Sequence, residues 1–245
     1  MGISIGSTTI GSIYLGSTKI SEAYLGNVKV YSSGAPALPP YTLRLKFTEG
    51  VTPTFSKGTA VQVSISPNIW DLTYENTDWN NLLSNKSGLL EIIDGNTAGV
   101  VNMCFLCATR TSLTTVSLFD TSSVTNMSSM FSGCTSLLTI PLFDTSNVTN
   151  MAATFYECTS ITSIPLLSTV KVTNMGGRIG NNTYRGTFEN CYNVESGALA
   201  LYQQASTQAT PPTTHSLAFT NCGRDTVTGA AERAQIPTSW GGTMA

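Results

Sequence analysis

Phe119-Asp-Thr-Ser-Ser-Val-Thr-Asn-Met-Ser-Ser-Met-Phe-Ser-Gly-Cys134 is followed, 24 residues on, by Phe143-Asp-Thr-Ser-Asn-Val-Thr-Asn-Met-Ala-Ala-Thr-Phe-Tyr-Glu-Cys158. The fold hangs on how this repeated stretch is read. The register extends to both sides: Asn102-Met103, Asn126-Met127, Asn150-Met151 and Asn174-Met175 are each 24 residues apart. Between the units run Leu113-x-x-Val116-x-Leu118, Leu137-x-x-Ile140-x-Leu142 and Ile161-x-x-Ile164-x-Leu166. Val124, Met127, Met130, Phe131 and Cys134 fall at helical spacing, which predicts a short helix with one apolar face. Asp120, Thr121, Ser122 and Ser123 stand where they would cap it, and Gly133 suits a turn back into a strand. One such unit cannot bury its own apolar edge. Stacked units can, with strands about 4.8 Å apart in a parallel ladder. The expected core of the stack is Met127, Phe131, Cys134, Met151, Phe155, Cys158, Phe188 and Cys191.

The L-x-x-L-x-L segments resemble the strand of a leucine-rich repeat. The longer string D-T-S-x-V-T-N-M-x-x-M-F-x-x-C-T-S-L resembles the BspA-type leucine-rich repeat, a family of bacterial surface proteins and of many phage and prophage proteins of gut bacteria. The resemblance is full over 119–166 and partial over 90–118 and 167–194. The first copy departs from it, with Arg110 in place of Cys and Cys107 in place of Phe. The fourth carries nine extra residues, since Phe155 to Phe188 is 33 rather than 24. That insert, around Gly176 to Gly186, is Gly- and Asn-rich and is expected to loop out of the stack. The fold class this implies is α+β: a short leucine-rich-repeat solenoid of 24-residue units, each a short helix plus a strand, with an N-terminal β-rich cap and a small β anchor.

The anchor is a second repeat. Ile3 to Ser32 divides into three decads, with Gly6, Gly16 and Gly26 in register. Gly followed by Ser or Asn between β-forming residues predicts tight turns. Thirty residues of this bury too little to stand alone, so the segment either docks on another sheet, subunit or particle or is a flexible β-rich tail. It resembles the I-Y-L-G-S-T-x-I decads that open phage structural proteins. The domain division expected is 1–33 anchor and oligomerisation segment, 34–40 Pro-rich linker, 41–89 β-rich N-terminal cap, 90–194 repeats and 195–245 C-terminal helix and cap. Tyr41, Leu43, Leu45 and Phe47 alternate with Thr42, Arg44 and Lys46, and Ala60 to Ile65 alternates too, as half-buried strands do. Trp70 and Trp79 are either ligand platforms or seals over an open repeat end. Val194 to Ser206, with Ser196 as cap, is the best helix candidate.

Charged residues make up 11% of the 245 residues, well below the usual quarter, and the formal net charge is −2. Without clustered Lys or Arg, nucleic-acid binding by counterion release is not expected. No apolar run approaches the roughly 18 residues of a membrane span, so no membrane insertion is expected. The N-terminus lacks the charged and apolar regions of a signal peptide, so if Met1 is the true start, export by the general secretory route is not expected.

Chemistry is hard to find. The six cysteines are Cys104, Cys107, Cys134, Cys158, Cys191 and Cys222. Four share an F-x-x-C context, which fits buried core thiols, the alternative being a disulfide framework. Cys104-x-x-Cys107 lacks two further zinc ligands. The one histidine, His215, lies in a Pro/Thr loop and would have to carry any nucleophile system alone. Gly2-Ile-Ser-Ile-Gly6 matches a nucleophile elbow by letters but not by context. No enzyme, cofactor or metal is expected. What remains is surface: Thr115, Ser117, Thr139 and Ser163 lie on the outward positions of the expected strands, as a binding face or as plain solvated surface.

Two functions stay open. One is a non-enzymatic phage virion protein, docked to capsid or tail proteins through residues 1–33, trimeric, with the repeat domain projecting as a fibre or receptor-binding module toward a host surface glycan or protein. It would assemble in the host cytoplasm and be extracellular after lysis. The other is a BspA-like cell-surface adhesin, or a decoration protein without a receptor role.

Overall fold

The computed structural model describes residues 38–65, 67–83, 88–179 and 183–243, and the backbone of four strands in 13–32. The chain divides into two compact units, 1–37 and 38–245. In the first, β1 (Ile13–Leu15) pairs antiparallel with β2 (Thr18–Ile20), and β3 (Glu22–Leu25) with β4 (Val28–Ser32). The decad turns at Gly6, Gly16 and Gly26, and positions 33–37 of the Pro-rich stretch, lie outside the described residues.

The second unit opens with a five-stranded sheet. Its strands are β5 (Thr42–Phe47), β6 (Thr59–Ser64), β7 (Ile69–Thr73), β8 (Leu89–Asn96) and the two-residue β9 (Thr115–Val116), in the order β6-β7-β5-β8-β9. Period-two alternation decides which face of β5 is which. Leu43, Leu45 and Phe47 are buried. On the other face Arg44 pairs with Asp71 and Lys46 with Glu91, each at 2.7 Å. The Asp71 carboxylate raises the Arg44 pKa against the opposing effect of burial. β9 joins β8 in parallel and so ties the first repeat to the sheet.

The repeats themselves contradict the expected helix-plus-strand solenoid. Among the described residues the protein is β-rich, with only two short α-helices, both after the last repeat. Val124 to Cys134 is a run of tight turns. Met130, Ser132 and Cys134 donate their N–H groups three residues back, to Met127, Ser129 and Phe131. The intervening N–H groups leave the unit: Met127 donates to Asn150 O, Ser129 to Ala152 O, Phe131 to Thr154 O and Gly133 to Tyr156 O. A helix is blocked because Ser129 (φ 56°) and Gly133 (φ 73°) are left-handed, as are Phe105, Ala153, Thr109 and Glu157 at the same places in neighbouring units. A three-residue period and a 3.6-residue period place apolar residues alike over so short a stretch, which is why the spacing misled. The L-x-x-L-x-L segments at 137–142 and 161–166 form no strand; the units meet instead through parallel bridges Asn102↔Asn126↔Asn150↔Asn174. Asp120 does not cap a helix. Its carboxylate accepts from Ser122 N at 2.9 Å and shapes a turn.

Side chains repeat the same inter-unit logic. Thr97 donates its hydroxyl to Asp120 O, Thr121 to Asp144 O and Thr145 to Ser168 O, and all three threonines are buried. Thr169, next in the row, meets no further unit. Its hydroxyl reaches Gln208 Oε1 at 2.8 Å, and Gln208 Nε2 donates to Thr169 O at 2.9 Å. A side-chain amide thus replaces the missing backbone. Phe131, Phe155, Phe188 and Phe219 stack with centroids 5.7, 5.3 and 5.9 Å apart and form a continuous aromatic column. Met127, Met151, Cys134, Cys158 and Cys191 are buried around it.

At the C-terminal end, β10 (Asn174–Ile179), β11 (Thr183–Gly186) and β12 (Thr214–His215) form a three-stranded sheet in the order β11-β10-β12. Helix α1 (Ala198–Thr207) begins later than expected and is not capped by Ser196. Gly197, at φ 96°, precedes it, and the N–H groups of Gly197 and Leu199 donate to the Glu232 carboxylate of α2 (Val227–Arg233) at 3.3 and 3.1 Å. A carboxylate from another helix takes the place of a local cap. A short 3₁₀ turn, Thr238–Trp240, is the last described element, and Trp240 is buried.

Candidate functional site

The residues suggested by the sequence do not gather. Thr115, Thr139 and Ser163 are exposed and Ser117 is half-buried. Ser163 bridges Ser196, while Thr139 belongs to no strand. Exposed Leu138, Leu142 and Leu166 accompany them. Neither tryptophan is an open platform. Trp79 is fully buried, and Trp70 is half-buried with its indole N–H donated to Asn68 Oδ1 at 2.8 Å.

The cysteines are free and buried. Cys134, Cys158 and Cys191 donate their S–H groups to the carbonyls of Cys107, Phe131 and Phe155 at 3.1, 3.2 and 3.0 Å. Burial pushes the Cys134 and Cys222 thiols up to about 12 and also raises Cys107, Cys158 and Cys191 well above the usual thiol range. Such thiols are packing groups rather than nucleophiles. Among the described residues no group of His, Cys, Asp and Glu could hold a metal, and no helix is long and apolar enough to cross a membrane.

A concave site does exist, where the repeat is irregular. The nine residues inserted into the fourth copy build the β10–β11 hairpin. Gly176, Gly177 and Tyr184 of this hairpin, with Thr213, Thr214, His215 and Ser216, line a solvent-open cleft of about 310 Å³. β10 runs along it between β11 and β12, so the glycine pair lies between the tyrosine strand and the histidine strand. The glycines leave the floor without side chains, and there is no room for any. A Cβ on Gly177 would come within 2.8 Å of Asn174 Oδ1, and one on Gly176 within 3.0 Å of Leu217 N. Tyr184 stands 54% exposed at the rim. His215 lies flat on Trp240, centroids 4.0 Å apart, with its Nδ1 3.1 Å from Ser239 O. A carbonyl only accepts, so Nδ1 carries a proton here, and in that tautomer of the imidazole Nε2 is an acceptor. Thr213 and Thr214 donate their hydroxyls to Thr173 O at 3.1 and 3.3 Å and keep their lone pairs free to accept. Sequence reasoning passed over this cleft. Its only traces there were the count of 33 in place of 24 and a histidine in a loop.

Fold and site together define a β-rich protein of stacked turn repeats with a small cleft, uncharged among its described lining residues, on its last, irregular copy. Over residues 75–189, just under half of the chain, it matches a BspA-like family described as Mycoplasma protein of unknown function, DUF285. No curated protein and no solved structure matches it.

Proposed function

We propose that the chain is a non-enzymatic recognition module, an adhesin-type protein that acts by holding on to a surface. The observation that carries this reading is the match of residues 75–189 to a BspA-like family, over the same repeats that resemble those of bacterial surface proteins. The inert thiols and the cleft lined by neutral groups support binding over catalysis. No cofactor or nucleic acid enters this reading. The test is retention of bacterial cells, epithelial cells and purified mucin by the immobilised full-length chain. Saturable retention of at least one of them is expected; retention of none overturns the proposal.

The finer reading is a phage virion protein whose residues 1–33 dock to capsid or tail proteins as a homotrimer. It rests on the resemblance of the decads to those that open phage structural proteins, and on their antiparallel hairpins, which are too small to be stable alone. Residence in the virion, with assembly in the host cytoplasm, belongs to this reading.

A further inference from the structure

We propose that the cleft beside the inserted hairpin binds one neutral sugar ring, with Tyr184 as stacking platform and Thr213, Thr214 and His215 as hydrogen-bond acceptors. This rests on the recognition-module reading and names its ligand class. The chain keeps a 24-residue register and breaks it by nine residues in the copy that builds the cleft. The insertion is spent on a hairpin whose glycines and tyrosine form part of the wall.

The chemistry of the wall sets three demands on a ligand. First, Tyr184 holds a large ring in water at the rim of a cavity, and its phenol oxygen has no hydrogen-bond partner among the described residues. An exposed ring face with its negative quadrupole favours a flat array of polarised C–H groups. Second, three of the polar groups, Thr213, Thr214 and His215, are placed as acceptors. The Thr213 and Thr214 hydroxyl protons go to Thr173 O, and the His215 Nδ1 proton goes to Ser239 O. A ligand must therefore bring several donors. Third, among the described residues that line the cleft there is no carboxylate, lysine or arginine. A phosphate or carboxylate, which only accepts, would meet these three acceptors and no counter-charge among the described lining residues. A ring with an apolar C–H face, hydroxyl donors on its edge and no charge is a neutral pyranose. The volume, at the small end of the roughly 300–1,000 Å³ usual for ligand clefts, suits a ring of that size rather than a long chain.

The test is ligand-observed saturation-transfer NMR on the full-length chain with glucose, galactose, mannose, fucose, N-acetylglucosamine and, as acidic control, N-acetylneuraminic acid. At least one neutral sugar is expected to bind saturably. Binding should weaken about tenfold in Tyr184→Ala, since an aromatic contact of this kind is worth about 1.4 kcal/mol. It should also weaken in Thr214→Val, which keeps shape and removes the acceptor, while melting temperatures match wild type in both. Absence of neutral-sugar binding, equal binding by both variants, or preference for the acidic sugar overturns the assignment. If the chain is retained on cells or mucin but ignores every sugar, the cleft assignment falls and the recognition reading stands. If the cleft binds sugar but no surface retains the chain, the recognition reading falls instead.

Discussion

Phe155 sits in the middle of the aromatic column, fully buried between Phe131 and Phe188. Phe155→Ala opens a cavity with a neighbour ring on each side, and an expected loss of about 3–5 kcal/mol follows. Urea denaturation measures it, and a loss under about 1 kcal/mol would mean that the column closes over the gap. The thiols give a second prediction. Burial lifts the Cys134 and Cys222 thiols from 9.0 to about 12, and lifts the other four as well. As pH rises past about 9, unfolded thiols release protons that folded ones keep. The unfolded state then binds fewer protons, so stability falls with rising pH toward about 12 and is unaffected by these groups below 9. The urea midpoint should drop across this range, with a shallower slope in Cys134→Ala. Equal slopes in the two proteins would refute the assignment.

At the scale of the element, each unit is held by left-handed residues at fixed places rather than by helical bonds. Gly133 occupies one of them at φ 73°, and a Cβ there would find Thr109 Cα no closer than 3.5 Å, an ordinary contact. Gly133→Ala is therefore expected to cost about 1 kcal/mol, the left-handed penalty alone. A cost several times larger would show that the turn itself had changed. The neighbouring copies carry Thr109 and Glu157 there, so packing between units enforces what the residues resist. This explains what was legible. The strand at Tyr41 to Phe47 could be read because its two faces differ in polarity and the sheet buries one of them. The 24-residue register could be read because stacking makes like residues neighbours. The helix could not be rejected, since the left-handed turns carry Ser129 and Ala153 rather than glycine. The threonine row was also missed. Thr97, Thr121, Thr145 and Thr169 look like ordinary turn formers until the facing carbonyls are in place. The cleft was visible only as an insertion, because Tyr184 and His215 are 31 residues apart and meet through strand order.

At the scale of the molecule, one hydrophobic core runs unbroken from Leu43 to Trp240, so the unit 38–245 is expected to melt in a single transition. The 1–37 unit bears on assembly. If its hairpins complete one another's sheets, the full chain has the mass of a trimer and a chain starting at Leu38 that of a monomer. Light scattering on both decides this, and a monomeric full-length protein would leave the hairpins needing a foreign partner.

The bonds that pass from each unit to the next have a mechanical side. Met103 to Asn126, Met127 to Asn150 and Met151 to Asn174 follow one another along the stack. A load pulling the chain ends apart therefore bears on one junction at a time, and units should peel away in turn. Each detached unit frees 24 residues, about 80 Å of contour at full extension. A stack built this way is expected to lengthen in steps under load instead of giving way at once.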